Sequence, residues 1–104
     1  MFLMTTSNII RIKDGRKTQT LRPVKKNGKG YFKVGSVQQC KLTLFTECKC
    51  KVKILHRETV DINELNDEDF KNLGYNSRKD YLNEPFNKSN PSSKRIRYYF
   101  ELVE

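Results

Sequence analysis

The chain has 104 residues, of which 36% are hydrophobic, 11% aromatic and 32% charged. This length suits one domain over residues 1–104 with a modest core and excludes a second domain, and the apolar content excludes a disordered chain. No apolar stretch approaches the roughly 20 residues that span a bilayer, and the opening Met1 to Met4 is too short for a signal-peptide core, so we expect a cytoplasmic protein without a membrane segment.

The net charge of +9 is concentrated in the first third of the chain. Residues 1–35 carry nine cations against one anion, whereas residues 36–104 carry twelve cations against eleven carboxylates. A concentrated positive charge attracts polyanions and favours phosphate contacts. A charge excess that only improves solubility is the alternative interpretation.

The first predicted elements are a short helix and an extended segment. The polar residues from Thr5 to Ser7 cap an apolar run that ends before Gly15, which is typical of a helix with a glycine stop. From Lys17 to Arg22 the β-branched threonines favour a strand, and the proline that follows keeps Arg22 extended. A polar, glycine-rich loop over residues 25–30 comes next.

Two segments with alternating polarity predict an antiparallel hairpin closed at Thr46 and Glu47. The residues expected to face the core are Cys40, Leu42 and Leu44 in residues 37–45, and Cys48, Cys50, Val52 and Ile54 in residues 48–54. The intervening lysines would then line the outer face of the sheet.

The second half of the chain predicts two short helices and a last strand. Asn66 and the acidic residues 67–69, followed by Phe70 and then Gly74, indicate one helix. A capping box from Ser77 to Asp80 opens another helix, which Pro85 ends. In residues 96–103, the residues Ile96, Tyr98, Phe100 and Leu102 occupy every second position, which is the period of a strand. Several antiparallel strands with short helices in so few residues predict a small, nearly closed β-barrel, because closure removes sheet edges.

The three cysteines, Cys40, Cys48 and Cys50, make a poor disulfide framework. Cys48 and Cys50 lie two residues apart, which matches no common zinc-ligand spacing, and they are in register with core residues. We therefore expect reduced thiols, no bound metal and no cofactor. A zinc site that includes His56 is the alternative.

The segment from Gly15 to Arg22 resembles the glycine-lysine-threonine-x-threonine-x-arginine motif of the ASCH domain family, a branch of the PUA-like barrels. Three further motifs follow in the family's order: Val34-Gly35-Ser36, the acidic helix Asn66 to Lys71 with Gly74-Tyr75, and the final segment from Phe100 to Glu104. The resemblance covers residues 9–104. It implies an α+β fold, a small PUA-like (ASCH) β-barrel of about five or six mostly antiparallel strands with short flanking helices.

The resemblance also implies a cleft that binds RNA or a modified nucleoside, in a protein that we expect to be a monomer. The predicted nucleic-acid-binding residues are Arg16, Lys17, Thr18, Thr20, Arg22, Lys25, Lys26, Lys29 and Tyr75. Tyr31 and Tyr99 are further candidates for stacking on a base. In a regular strand Lys17 and Thr20 would point to opposite faces, so a shared cleft requires Lys17 to lie in the turn after Gly15.

The alternative function is that of an amidohydrolase acting on 4-acetylcytidine or a related acylated nucleoside. Small bacterial proteins similar to this chain use a lysine, a threonine and a glutamate for that reaction, and the first two map onto Lys17 and Thr20. The glutamate maps onto Leu73 or Gly74, so Asp69, one helical turn earlier, is the candidate carboxylate. A third interpretation is a protein-interaction module with no ligand in the cleft.

Overall fold

The computed structural model describes residues 1–24, 31–88 and 92–103. In these ranges the strands are β1 (Phe2–Leu3), β2 (Gln19–Pro23), β3 (Val37–Lys41), β4 (Cys50–Asp61) and β5 (Lys94–Leu102). The α-helices are α1 (Thr6–Lys13), α2 (Asp67–Asn72), α3 (Arg78–Asn83) and α4 (Pro85–Lys88), and a 3-10 helix spans Ile62–Glu64. Among the described residues, each of these helices is too short or too polar to cross a membrane.

The five strands form one mixed sheet with the order β1-β3-β4-β5-β2, which curls into a half-barrel. β1 and β3 are parallel, and the other neighbours are antiparallel. The predicted class, an α+β barrel of mostly antiparallel strands with short helices, is therefore confirmed. The two-residue strand β1 has no counterpart in the sequence prediction.

The side chain of Arg22 bridges the two edge strands of this sheet. From β2, its guanidinium donates two hydrogen bonds of 3.2 Å to the carbonyl oxygen of Leu3 in β1. Its Cζ also lies 5.0 Å from the ring centroid of Phe2. A side chain thus connects strands that no backbone ladder joins.

Apolar side chains form two buried clusters. The first packs α1 against the sheet and comprises Phe2, Met4, Ile9, Ile12, Cys40, Cys50, Val52, Ile54, Ile96, Tyr98 and Phe100. The second joins α2, α3 and the 3-10 helix and comprises Ile62, Leu65, Phe70, Leu73 and Tyr81. Two separate clusters leave room for a cavity where they approach each other.

The helix caps agree with the sequence prediction. Thr5 accepts a hydrogen bond from the first turn of α1, and Asn66 forms a reciprocal capping box with Asp69 at α2. The hydroxyl of Ser77 accepts a 3.3 Å hydrogen bond from the N–H of Asp80 at the start of α3. Each cap satisfies backbone N–H groups that a helix end leaves without a partner.

The predicted hairpin is shorter than the sequence pattern suggests. The first strand ends at Lys41, and Leu44 is exposed to solvent instead of facing the core. The hydroxyl of Thr46 accepts a 3.0 Å hydrogen bond from the N–H of Thr43 and donates one to its carbonyl, so a turn replaces the expected strand. Leu42 also lies outside the core, and Cys48 is half-buried.

Gly74, directly after α2, offers a test of the packing between the helices. Its φ is +96°, and an added Cβ would stand 3.0 Å from Cδ of Arg11 and 3.5 Å from Cβ of Lys17. Gly35 has a similar φ of +89° with no atom within 4 Å of an added Cβ. Gly35→Ala should therefore lower the free energy of unfolding by about 1–2 kcal/mol through backbone strain alone, and Gly74→Ala should lower it further.

Equilibrium denaturation of the two variants measures this difference. Equal losses in both variants would contradict the prediction, because they would show that Arg11 and Lys17 move aside without cost.

Candidate functional site

A cavity of about 400 Å³ borders both core clusters. We call it the Lys17 cavity. Its lining residues are Leu3, Met4, Thr5, Asn8, Lys17, Thr20, Leu21, Arg22, Leu73, Tyr75, Tyr81, Glu84 and Asn87. The cavity therefore combines an apolar surface with two cations, one carboxylate, amides and hydroxyl groups.

Lys17 enters this cavity because the chain around it caps two helices. Its N–H donates a 3.0 Å hydrogen bond to the Arg11 carbonyl at the end of α1, and the N–H of Thr18 donates a 2.9 Å bond to the Asn72 carbonyl at the end of α2. This backbone path directs the Lys17 side chain inward, where it is 3% exposed. Its Nζ donates a 2.5 Å hydrogen bond to the carbonyl oxygen of Leu73.

Lys17 and Thr20 line the same cavity because β2 begins only at Gln19. Lys17 thus lies in the bend that leads into the strand, and strand alternation does not apply to it. Thr20 is 5% exposed. The two residues that the sequence motif singles out are both buried at this site.

The environment of Lys17 lowers the pKa of its amine to about 7. Burial is the largest cause, because a charged amine loses its hydration there. The positive charges of Arg22 and Arg11 act in the same direction, while the carboxylate of Glu84 opposes them. Lys17 therefore loses its proton far more readily than an exposed lysine does.

Tyr75 supplies the aromatic wall of the cavity. Nζ of Lys17 lies 5.5 Å and Cζ of Arg11 lies 5.8 Å from its ring centroid. Tyr81 meets the ring edge-on, with centroids 5.2 Å apart. Burial, followed by the negative charge of Glu84, raises the pKa of the Tyr75 hydroxyl, so this wall is neutral at physiological pH.

Arg22 lines the cavity while its guanidinium binds the Leu3 carbonyl. Burial is the main cause that lowers its pKa. Its Nε is buried without a hydrogen-bond partner among the described residues. The guanidinium thus adds a fixed positive charge and one unsatisfied donor to the site.

Glu84 is the carboxylate of the Lys17 cavity, and the sequence analysis missed it. It forms the C-terminal cap of α3, with an extended backbone at φ −65° and ψ 136°. The following Pro85 disfavours a helical conformation at this position. That proline was the available signal, and it predicts the helix end but not the carboxylate's place in the cavity.

Asp69, the candidate carboxylate of the sequence analysis, lies elsewhere. Its side chain accepts a 3.0 Å hydrogen bond from the N–H of Asn66 and lies 3.3 Å from Nη1 of Arg97. It lines a different cavity, of about 340 Å³, together with Glu58. The structure therefore does not bring Asp69 together with Lys17 and Thr20, because helix capping orients it away from them.

Comparison with known proteins clarifies the fold. Over 98% of its length, the chain is similar to 77% of the chain in the crystal structure of an ASCH domain from Lactobacillus crispatus JV V101, with a TM-score of 0.77. The chain has the ASCH-domain fold. The sequence identity over this match is 11%, and no family model and no curated protein matches the sequence.

The other predicted binding residues of this ASCH fold are dispersed. Thr18 and Arg16 are exposed, and Arg16 forms a 2.7 Å ion pair with Asp14. Tyr99 donates a 2.7 Å hydrogen bond to Glu58, outside the Lys17 cavity. Lys25, Lys26 and Lys29 lie outside the described residues.

Two of the three cysteines, Cys40 and Cys50, lie in the sheet of the ASCH fold, and the lining of the Lys17 cavity includes no cysteine among the described residues. Cys40 and Cys50 are buried, free and opposite each other in the register of β3 and β4. Burial raises the pKa of both thiols. Among the described residues no group of three or more potential metal ligands comes together.

The buried amine of Lys17 should make stability depend on pH. The unfolded chain keeps this lysine protonated up to its ordinary pKa of 10.5, whereas the folded chain loses the proton at about 7. Between these values the unfolded state binds more protons, so the free energy of unfolding should rise from pH 7 to pH 9.5. Lys17→Met should remove most of this rise, whereas the matched variant Lys53→Met, at an exposed site, should keep it.

Urea denaturation at several pH values measures both slopes. A Lys17→Met variant with the pH dependence of the wild type would show that Lys17 is solvated or paired in solution.

Proposed function

We propose that the Lys17 cavity binds the nucleoside part of RNA or of another nucleoside-containing ligand. The observation that carries this proposal is the convergence of Lys17, Thr20, Arg22 and Tyr75 on one cavity. A cation, a hydroxyl group and an aromatic ring are the groups that proteins use to recognise an unstacked base.

The size and lining of the cavity support a small organic ligand. Its volume of about 400 Å³ falls within the range of about 300–1,000 Å³ typical of small-molecule sites. Leu3, Met4 and Leu73 provide apolar surface. The amides of Asn8 and Asn87 add donors and acceptors suited to the edge of a base, although Asn87 already donates a 2.8 Å bond to the Tyr81 carbonyl.

Lys17 suits a ligand whose polar groups accept hydrogen bonds. A base carbonyl or ring nitrogen that contacts Nζ favours the charged amine, so binding should raise the pKa of Lys17 from about 7. The ligand thereby replaces the hydration that burial removes.

Tyr75 should contribute most of the stacking energy. Tyr75→Leu is expected to weaken binding of a nucleoside by about tenfold or more, since base–aromatic stacking is worth about 1–3 kcal/mol. The matched control is Tyr99→Leu, which removes a tyrosine outside the cavity. Isothermal titration calorimetry with adenosine, guanosine, cytidine, uridine and 4-acetylcytidine measures the affinities.

Two results would contradict this function. One is no measurable binding of any of the five nucleosides, and the other is an equal loss of affinity in both tyrosine variants.

A second candidate function is hydrolysis of an acylated nucleoside, which the placement of Glu84 favours. Lys17, Thr20 and Glu84 line one cavity, which supplies the lysine, threonine and carboxylate of the amidohydrolases that the sequence resembles. The neutral amine of Lys17 would take a proton from a water molecule as that water attacks the acyl carbon. Thr20 would donate a hydrogen bond to the developing oxyanion. Glu84 would carry the proton from Lys17 to the leaving nitrogen as the carbon–nitrogen bond breaks, which releases acetate and cytidine.

Lys17→Arg separates the two candidate functions. Arginine keeps the positive charge but cannot give up its proton near neutral pH, so this variant should abolish hydrolysis of 4-acetylcytidine if the protein is an enzyme. Glu84→Gln should then lower kcat by about a hundredfold or more, while Asp69→Asn should leave it nearly unchanged. The rate is measured by chromatography of the acetate and cytidine that are released.

If the wild-type protein releases no acetate, hydrolysis of 4-acetylcytidine is excluded, and the calorimetry alone decides the binding function. A rate that falls with Asp69→Asn but not with Glu84→Gln would show that the carboxylate assignment is wrong.

A further inference from the structure

A second cavity, of about 460 Å³, adjoins the Lys17 cavity at Tyr75, which lines both. We call it the basic cavity. Its charged side chains are Arg11, Arg16 and Lys71, and the lining residues that the structure describes include no carboxylate. Asn72 and Asn76 add polar groups. The basic cavity therefore has the composition of an anion site.

Two of the three cations form no ion pair with a carboxylate in the described part of the chain, although the charge of Asp14 also attracts Arg11. Arg16 pairs with Asp14 at 2.7 Å. Arg11 instead donates a 3.3 Å hydrogen bond to the amide oxygen of Asn8 and lies against the ring of Tyr75. Lys71 is exposed and forms no ion pair with a described residue. The positive charge of the basic cavity is therefore largely uncompensated.

Helix capping does not account for these cations. Arg11 and Lys71 lie in the last turns of α1 and α2, where a cation can interact favourably with free carbonyl groups. Here the Arg11 carbonyl already accepts the N–H of Lys17, and the Lys71 carbonyl accepts the N–H of Gly74 at 2.9 Å. The guanidinium of Arg11 has five N–H donors, of which Asn8 accepts one, so it keeps donors for a ligand.

The preference for an anion is local to this part of the surface. The cavity that contains Asp69 is lined by four carboxylates and two cations, so it disfavours a phosphate. The basic cavity is instead lined by three cations and, among the described residues, no carboxylate, and it lies beside Tyr75, the proposed stacking residue.

From this arrangement we propose that the basic cavity binds a phosphate group of the ligand whose nucleoside occupies the Lys17 cavity. The inference rests on the proposed function and makes it more specific, because the ligand is then a nucleotide or an RNA strand and not a free nucleoside. Arg11 supplies a planar fork that matches phosphate oxygens, and Lys71 supplies a point charge. Tyr75 sets the spacing between base and phosphate because it forms part of both cavities.

The test compares five nucleosides with their 3′- and 5′-monophosphates by calorimetry, using adenosine, guanosine, cytidine, uridine and 4-acetylcytidine. A monophosphate should bind the wild type about tenfold more tightly than its nucleoside, as one charge-assisted contact allows. The double variant Arg11→Gln with Lys71→Gln should lose this advantage. It is measured as the ratio of monophosphate to nucleoside affinity within that variant, because Arg11 also contacts Tyr75. The control, Lys53→Gln with Lys79→Gln, removes the same charge at exposed sites outside both cavities and should keep the advantage.

Four other results would contradict the phosphate site, the proposed function or both. If nucleosides bind but phosphate adds nothing, or if the control loses as much as the double variant, the phosphate site is wrong and nucleoside binding stands. If no nucleoside and no monophosphate binds, the proposed function fails as well. Inorganic phosphate that competes as strongly as the nucleotide would overturn the nucleotide assignment.

Arg11 packs against Gly74 and Tyr75, so the single variant Lys71→Gln provides a second readout that leaves this packing intact. It should lose part of the phosphate advantage, about threefold. An unchanged advantage in that variant would remove Lys71 from the site and contradict the proposal.

Discussion

The site depends on how the carboxyl ends of α1 and α2 are satisfied. Backbone N–H groups of Lys17 and Thr18 bond to carbonyl groups in the last turns of the two helices, so one short segment contacts both helix ends. Buried carbonyl groups without hydrogen-bond partners would be costly. The backbone of the segment with Lys17 and Thr18 can therefore vary little in conformation. The same segment then enters β2, with the Thr18 carbonyl accepting the N–H of Phe100 at 3.1 Å. Burial of the Lys17 side chain, and hence its lowered pKa, follows from this backbone path.

Much of the fold could be predicted from the sequence because its helix signals are local. Thr5, Asn66 and Ser77 each cap a helix where the sequence places one. The first strand of the predicted hairpin is too long, because the alternation of polarity in the sequence continues past Lys41. In the structure, a turn held by hydrogen bonds of the Thr46 hydroxyl follows the end of the strand. A two-residue parallel strand such as β1 has no local pattern, because its pairing with β3 comes from tertiary packing alone.

The candidate site was only partly accessible to sequence reasoning. The motif identified Lys17 and Thr20, which lie close together in the chain and share a cavity in the structure. Glu84 comes from a distant helix end, and no pattern in the sequence links it to the motif. Asp69 looked suitable because it is acidic and lies near the aligned position, yet the hydrogen bonds of its own capping box hold it elsewhere. Residue type predicted a lysine, a threonine and a carboxylate, whereas the packing of α3 decides that Glu84 is the carboxylate that lines the cavity.

The bridge that Arg22 makes between β2 and β1 also leaves fewer strand-edge groups open to pairing with another copy of the chain. Strand edges with free N–H and C=O groups are templates for intermolecular pairing, and native sheets blunt them with charge, proline or very short strands. Here β1 has two residues, β2 ends in Pro23, and the Arg22 guanidinium occupies the Leu3 carbonyl between them. One arginine therefore both occupies the Leu3 carbonyl and lines the Lys17 cavity, so a substitution that changes this part of the cavity lining also frees an edge carbonyl for pairing.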